Sequence, residues 1–181
     1  MSIRDARGSG EILKVAIVGP ECTGKSTLAE ALANHYQTVW VPEYARGYLD
    51  NLVRPYNEDD LLSIGRGQLR LENSWLRTAN RVLVCDTDLL VLKVWSDFKY
   101  GHTSREILDE MNLSSYDLHL LTYIDVPWVE DPLREHPHQR DVLFDIYHKE
   151  LKKAGVPFVE IRGSAKERLE AAVTAINKLF G

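Results

Sequence analysis

The chain has 181 residues, 22 of them basic and 27 acidic, for a net charge of −5. That length suits one domain with a full core, and a mildly acidic surface is wrong for general nucleic-acid binding, which demands a basic face. Two cysteines, Cys22 and Cys85, make neither a disulfide framework nor a zinc site, and no apolar stretch is long enough to cross a membrane. No nucleic-acid or membrane partner is therefore expected. The N-terminus lacks the apolar segment of a signal peptide, so the expected compartment is the cytoplasm.

Residues 1–11 read as a flexible tail and 12–181 as the folded domain. Ile12 to Val18 is a short apolar, β-branched run, predicted as a buried strand. A glycine-containing turn follows, then a helix from about Lys25 to Tyr36 with Leu28, Leu32 and Tyr36 on one face. Thr38 to Val41 is predicted as a second strand, ended by Pro42. Glu58 to Ala79 reads as a long helix, weakened locally by Gly65 and Gly67. Arg81 to Asp86 is a third strand, followed by a helix through Val94 and another from Ser104 to Met111. Leu118 to Ile124 is a fourth strand. A polar, proline-marked segment runs from Asp125 to His138. A helix from about Gln139 to Ala154 stops at Gly155, Pro157 to Ile161 is a fifth strand, and a last helix carries Leu169, Ala172, Val173, Ile176 and Phe180 on one side. Alternating strands and helices imply a five-stranded parallel sheet between helices, with ligands beyond the carboxyl ends of the strands.

Gly19-Pro-Glu-Cys-Thr-Gly-Lys-Ser-Thr27 fits the phosphate-binding loop pattern, with a strand before it and a helix after. Glycines let backbone N–H groups turn in toward phosphate oxygens, and the helix N-terminus adds partial positive charge. Gly19, Glu21, Cys22, Thr23, Gly24, Lys25, Ser26 and Thr27 are thus candidate ATP contacts. Lys25 is expected at the β- and γ-phosphates, and Ser26 at Mg²⁺. Cys22 reads as filler at a variable position.

Asp86 ends the third strand, where an acid could hold a Mg²⁺-bound water. Glu43 follows the second strand and could take a proton from an attacking hydroxyl or hold sugar hydroxyls. Asp88 could serve either role or cap a helix. Arg134 and Arg140, six apart after the fourth strand, suit a lid that closes over phosphates. His136 and His138 lack a third ligand for a metal. Tyr44, Tyr48, Trp95, Tyr100 and Trp128 fall near strand ends, where one could stack on a flat acceptor.

Together these motifs resemble the ribosylnicotinamide kinase domain of the NadR proteins. The matching segments are residues 19–28, Val41-Pro-Glu-Tyr-Ala-Arg46, Asp86-Thr-Asp88, Trp95-Ser96 with Tyr100-Gly101, Tyr116-Asp117, and Asp125-Val-Pro-Trp-Val-Glu-Asp-Pro-Leu-Arg134. The resemblance runs from about residue 13 to the C-terminus. It implies a P-loop nucleoside-kinase-like fold and ATP-dependent 5′-phosphorylation of nicotinamide riboside. It also implies phosphate and Mg²⁺ roles for Lys25 and Ser26, and lid roles for Arg134 and Arg140. Glu43 and Asp86 become candidates for ribose, metal or general base, with Tyr44, Asp88, Trp95 and Trp128 near the acceptor. The turn Arg162-Gly163-Ser164 sits where related kinases hold adenine. About twelve residues precede the first strand, so the family's adenylyltransferase and DNA-binding parts are expected to be absent. The alternatives are a kinase for another nucleoside and a nucleotide-dependent regulatory ATPase.

Overall fold

Strand β1 (Leu13–Val18) is buried on both faces, as its apolar run, interrupted only by the half-buried Lys14, requires. The computed structural model describes residues 11–132, 134 and 138–180. The expected tail, His136 and part of the lid segment therefore lie outside the described residues. Along β1 the alternation is strict. Leu13, Val15 and Ile17 face one layer, and Ala16 and Val18 the other.

Helix α1 (Lys25–Tyr36) returns the chain to β2 (Trp40–Val41), and α2 (Tyr44–Asp50) and α3 (Glu58–Trp75) lead to β3 (Val82–Asp86). Helices α4 (Leu89–Tyr100) and α5 (Arg105–Glu110) and a short 3₁₀ turn precede β4 (Leu118–Thr122). Helix α6 (Arg140–Ala154), β5 (Phe158–Ile161) and α7 (Ala165–Asn177) complete the fold. The sheet is wholly parallel, in the order β2-β3-β1-β4-β5, which puts β1 at its centre. Helices α1 and α7 cover one face, with Leu28, Leu32, Ala172 and Ile176 buried against the sheet. Helices α4 and α6 cover the other through Leu90, Val94, Leu143, Phe144 and Leu151. A third apolar cluster joins α2 to α5 through Ala45, Leu61, Ile64, Leu92 and Ile107. No helix among the described residues is long and apolar enough to cross a membrane.

The α/β class and the five parallel strands match expectation; several boundaries and one helix do not. The second strand is only two residues long, because Thr38 turns its hydroxyl into hydrogen bonds with Val82 O (2.8 Å) and Asn80 N (2.8 Å). Helix α2 was not expected. Helix α3 runs through Gly65 and Gly67 unbroken, capped by a reciprocal Asn57–Asp60 box. The two glycines serve close packing: a Cβ on Gly67 would lie inside the Tyr44 ring, and one on Gly65 would press on Leu92 at 3.1 Å.

Candidate active site

The phosphate loop is a chain of close approaches. Gly19 has φ +141°, and a Cβ there would meet Thr122 Oγ1 at 2.6 Å, so only glycine lets the loop leave β1 this near β4. Thr23 is buried; its hydroxyl shares a 2.7 Å bond with Thr122 and donates to Pro20 O at 2.8 Å. Gly24, at φ +78°, caps the start of α1 and aims the helix N-terminus at the loop. Lys25 Nζ lies across the loop, donating to Gly19 O (3.0 Å) and Pro20 O (2.8 Å).

At the neighbouring strand end, Ser26 donates to Asp86 Oδ2 at 2.5 Å. Asp86 is buried, and burial pushes its pKa up to about 6, with the Ser26 hydrogen bond pulling the other way. Its other oxygen, Oδ1, has no hydrogen-bond partner among the described residues. The next residue, Thr87, takes φ +87°, a backbone conformation that costs a threonine about 1–3 kcal/mol and clusters at functional sites.

A cavity opens from this loop, lined by residues 19–27 along one side and by Glu43, Arg46 and Arg134 around its polar end. It continues into an apolar chamber formed by Ala45, Leu49, Val91, Val94, Trp95, Phe98, Leu143 and Tyr147. Glu43 is placed there by α2: it takes the N-cap position with its side chain making no bond to the helix, and the N–H of Tyr44 is captured by the buried Gln68 at 2.9 Å.

The structure thus brings together residues 19–27, Glu43, Trp95 and Arg134, with Asp86 behind Ser26. It separates others that were expected at the acceptor. Asp88 is fully buried and is not among the residues that line the cavity. Its Oδ1 caps α4 through Leu90 N (2.9 Å), and its Oδ2 meets His119 Nε2 at 3.1 Å, so both oxygens are taken by the fold. The Tyr44 ring packs on Gly67 rather than lining the cavity. Trp128 lies outside the wall: its Nε1 donates to Glu130 (3.0 Å), and the Arg134 and Arg140 guanidiniums lie 6.0 and 5.7 Å from its ring.

The two arginines after β4 do different things. Arg134 lines the cavity and donates to Val129 O. Arg140 braces the loop, donating to Cys22 O (3.1 Å) and Val126 O (2.9 Å). Cys22 is more than filler, since its sulfur donates to Pro127 O at 3.4 Å and accepts Val129 N–H at 3.2 Å. It ties the phosphate loop to the segment after β4.

Arg162 lies 3.5 Å over the Tyr123 ring, held by Glu160, and Gly163 N–H donates to Asp125 at 2.6 Å. Sequence reasoning missed the residue that joins this turn to the loop. Arg168, 4% exposed, donates to Thr23 O (2.5 Å), Tyr123 O (2.9 Å), Gly163 O (2.9 Å) and the Asp125 carboxylate. The signal was a charge at the head of an apolar i, i+4, i+8 row, Arg168-Ala172-Ile176.

Solved structures share this arrangement of strands. A NadR protein in complex with NR superposes with a TM-score of 0.74, at 20% identity over 93% of this chain and 52% of the other. Thymidylate kinase from Candida albicans gives 0.67, at 15% identity over 94% of both chains. In sequence, the trifunctional NAD biosynthesis/regulator protein NadR of Salmonella typhimurium is 28% identical over 176 residues. The match covers 92% of this chain and 42% of the relative, so the chain spans less than half of it. A family model described as an AAA domain matches residues 14–168, and the chain belongs to that AAA domain family.

Proposed function

We propose that the chain is a Mg·ATP-dependent kinase that phosphorylates the 5′-hydroxyl of nicotinamide riboside to give nicotinamide mononucleotide. Residues 12–181 form the kinase domain, and the cytoplasm is the proposed compartment. The observation that carries the reading is the continuity of one cavity. It runs from the phosphate loop, past a carboxylate and two arginines, into an apolar chamber with aromatic walls. A regulatory ATPase needs no such acceptor chamber. The likeness to NadR proteins supports the choice of acceptor.

In this reading the loop N–H groups and Lys25 hold the donor's β- and γ-phosphates. Glu43 accepts the proton of the 5′-hydroxyl as its oxygen forms a bond to the γ-phosphorus. The bond from that phosphorus to the β,γ-bridging oxygen breaks, releasing ADP. Arg134 neutralises charge on the transferring group. Ser26 and Asp86 suit Mg²⁺: a hydroxyl lies beside a buried carboxylate whose Oδ1 lacks a partner among the described residues. When bound there, the ion would offset phosphate charge during transfer. The Arg162-Gly163 turn is the proposed seat of adenine, with Arg168 fixing its distance from the loop.

The test is ADP release measured across a nucleoside panel. Nicotinamide riboside should give a higher kcat/KM than adenosine, cytidine or thymidine. A higher value for one of those names a different nucleoside kinase; release that ignores every nucleoside refutes the kinase reading.

A further inference from the structure

The chamber is a wall for a ring. Val91, Val94, Phe98 and Leu143 offer only carbon, while Lys25, Glu43 and Arg46 all lie close enough to Asp86 to act on its charge and so gather beside the phosphate loop. A ribose and its 5′-oxygen belong near those charges, which leaves the apolar end for the base. Among the side chains of that end, polar atoms are scarce. Trp95 has one, and its Nε1 is spent in a 3.0 Å bond to Tyr56. The other is the hydroxyl of Tyr147, which lies within electrostatic reach of Glu43 and Glu21 and so on the border between the two ends.

Tyr147 lies on α6 between Leu143 and Leu151, one turn from each, and is 4% exposed. A buried tyrosine ordinarily finds a partner for its hydroxyl, because leaving it unpaired costs stability. Among the described residues the Tyr147 hydroxyl has no hydrogen-bond partner; it is not one of the fully enclosed unpaired atoms, and the residue lines the cavity, so the hydroxyl is open to a ligand there. The hydroxyl is also held in its donor form: burial first, then the carboxylates of Asp88, Glu43 and Glu21, push its pKa well above the usual phenol range.

We propose that Tyr147 is a specificity-determining residue of the acceptor site, its hydroxyl donating a hydrogen bond to a neutral acceptor group on the substrate's ring. In nicotinamide riboside that group is the carboxamide carbonyl, so the inference rests on the reading above and deepens it. The nearby carboxylates oppose an anionic group at the same place, which makes a carbonyl the better match than a carboxylate.

The test compares two substrates that differ only in the carboxamide, nicotinamide riboside and unsubstituted ribosylpyridinium, in the full chain and in Tyr147→Phe. A single neutral hydrogen bond gives roughly five- to tenfold preference. The wild-type kcat/KM ratio should be of that size, and Tyr147→Phe should bring it close to one. A ratio equally large in Tyr147→Phe, or already near one in the wild type, overturns the proposal while the kinase reading stands. Both proteins are assayed at a temperature below the melt of Tyr147→Phe, so that the two ratios are always compared on folded protein. A wild-type protein that phosphorylates neither riboside refutes the nicotinamide riboside reading, and the role of Tyr147 falls with it.

Discussion

Replacing Lys14 by methionine isolates a buried charge whose position matters to the site. Glu72, on α3, is 1% exposed and is held by Lys14 Nζ at 2.7 Å and by the Tyr116 hydroxyl at 2.9 and 3.0 Å. Burial pushes its pKa above the ordinary 4.5, even with Lys14 pulling it down. Methionine keeps the length and apolar stem of Lys14 and leaves the carboxylate without its cation. Removing one partner of a buried pair costs about 3–5 kcal/mol. The Lys14 side chain is 17% exposed, so water offsets part of the loss and the lower end, about 3 kcal/mol, is expected. For a domain of this size that lowers Tm by roughly 6–12 °C. The sign with pH follows from the raised pKa. The folded state holds the proton more tightly than the unfolded one, so the cost is absent well below 4.5 and is incurred as pH rises through the folded value. Circular-dichroism melts of Lys14→Met should therefore show a smaller deficit at pH 4.5 than at pH 7.5. Adding Glu72→Gln should recover most of the loss, because glutamine removes the charge and still accepts from Tyr116. Glu72 also accepts from Gln68 at 3.4 Å, and Gln68 holds the Tyr44 N–H beside Glu43, so turnover should fall with the single substitution. A single variant melting within 1 °C of wild type, or a double variant no better than the single, would refute this account.

Lys25→Ala should cut phosphoryl transfer ~10²-fold or more with the melt unchanged, and near-normal turnover would sink the loop assignment. Asp86, raised by burial from 3.8 to about 6, contributes stability that is full below 3.8 and lost as pH climbs through 6. In metal-free buffer the Tm advantage of Asp86→Asn over wild type should widen by roughly 4–8 °C between pH 4.5 and 7.5; a constant gap contradicts it. Arg134→Ala should lower kcat by ~10²-fold and move KM for ATP much less, whereas Arg140→Ala, by freeing Cys22 O, should act more on KM. If both keep wild-type kcat and KM, neither arginine serves the reaction. Arg168→Gln should raise KM for ATP roughly tenfold while changing the KM for the nucleoside little, and lysine should rescue only partly, having lost the planar fork. An unchanged KM for ATP would reduce Arg168 to a structural staple.

Much of the fold was legible because its signals are local. Leu13–Val18, Val82–Asp86 and Leu118–Thr122 are mainly apolar and buried on both faces, as central parallel strands must be, and the loop motif stands between strand and helix. What escaped depends on distant partners. Helix α2 is seven residues long and follows a proline; it starts where Gln68, 24 residues on, takes the Tyr44 N–H. Gly65 and Gly67 read as weakness until the Tyr44 ring and Leu92 are seen against them. Asp88 carried its own correction, since an acid before Leu89-Leu90 is a helix cap by pattern. Tyr147 and Arg168 sit on apolar faces of their helices, where periodicity says core and only three-dimensional neighbours reveal a polar task.

The span of Arg168 has a consequence for how the protein is made. Its bond to Thr23 O closes a separation of 145 residues, and β1 takes its place only when β3 and β4 arrive on either side. A ribosome delivers the phosphate loop early and α7 late, so the loop emerges long before the parts that hold it in shape. Contacts so far apart in sequence form slowly, because the intervening chain must give up its freedom first. Nucleotide affinity should therefore come last in folding. A nascent chain stalled before α7 would carry the complete motif and should still fail to retain a nucleotide.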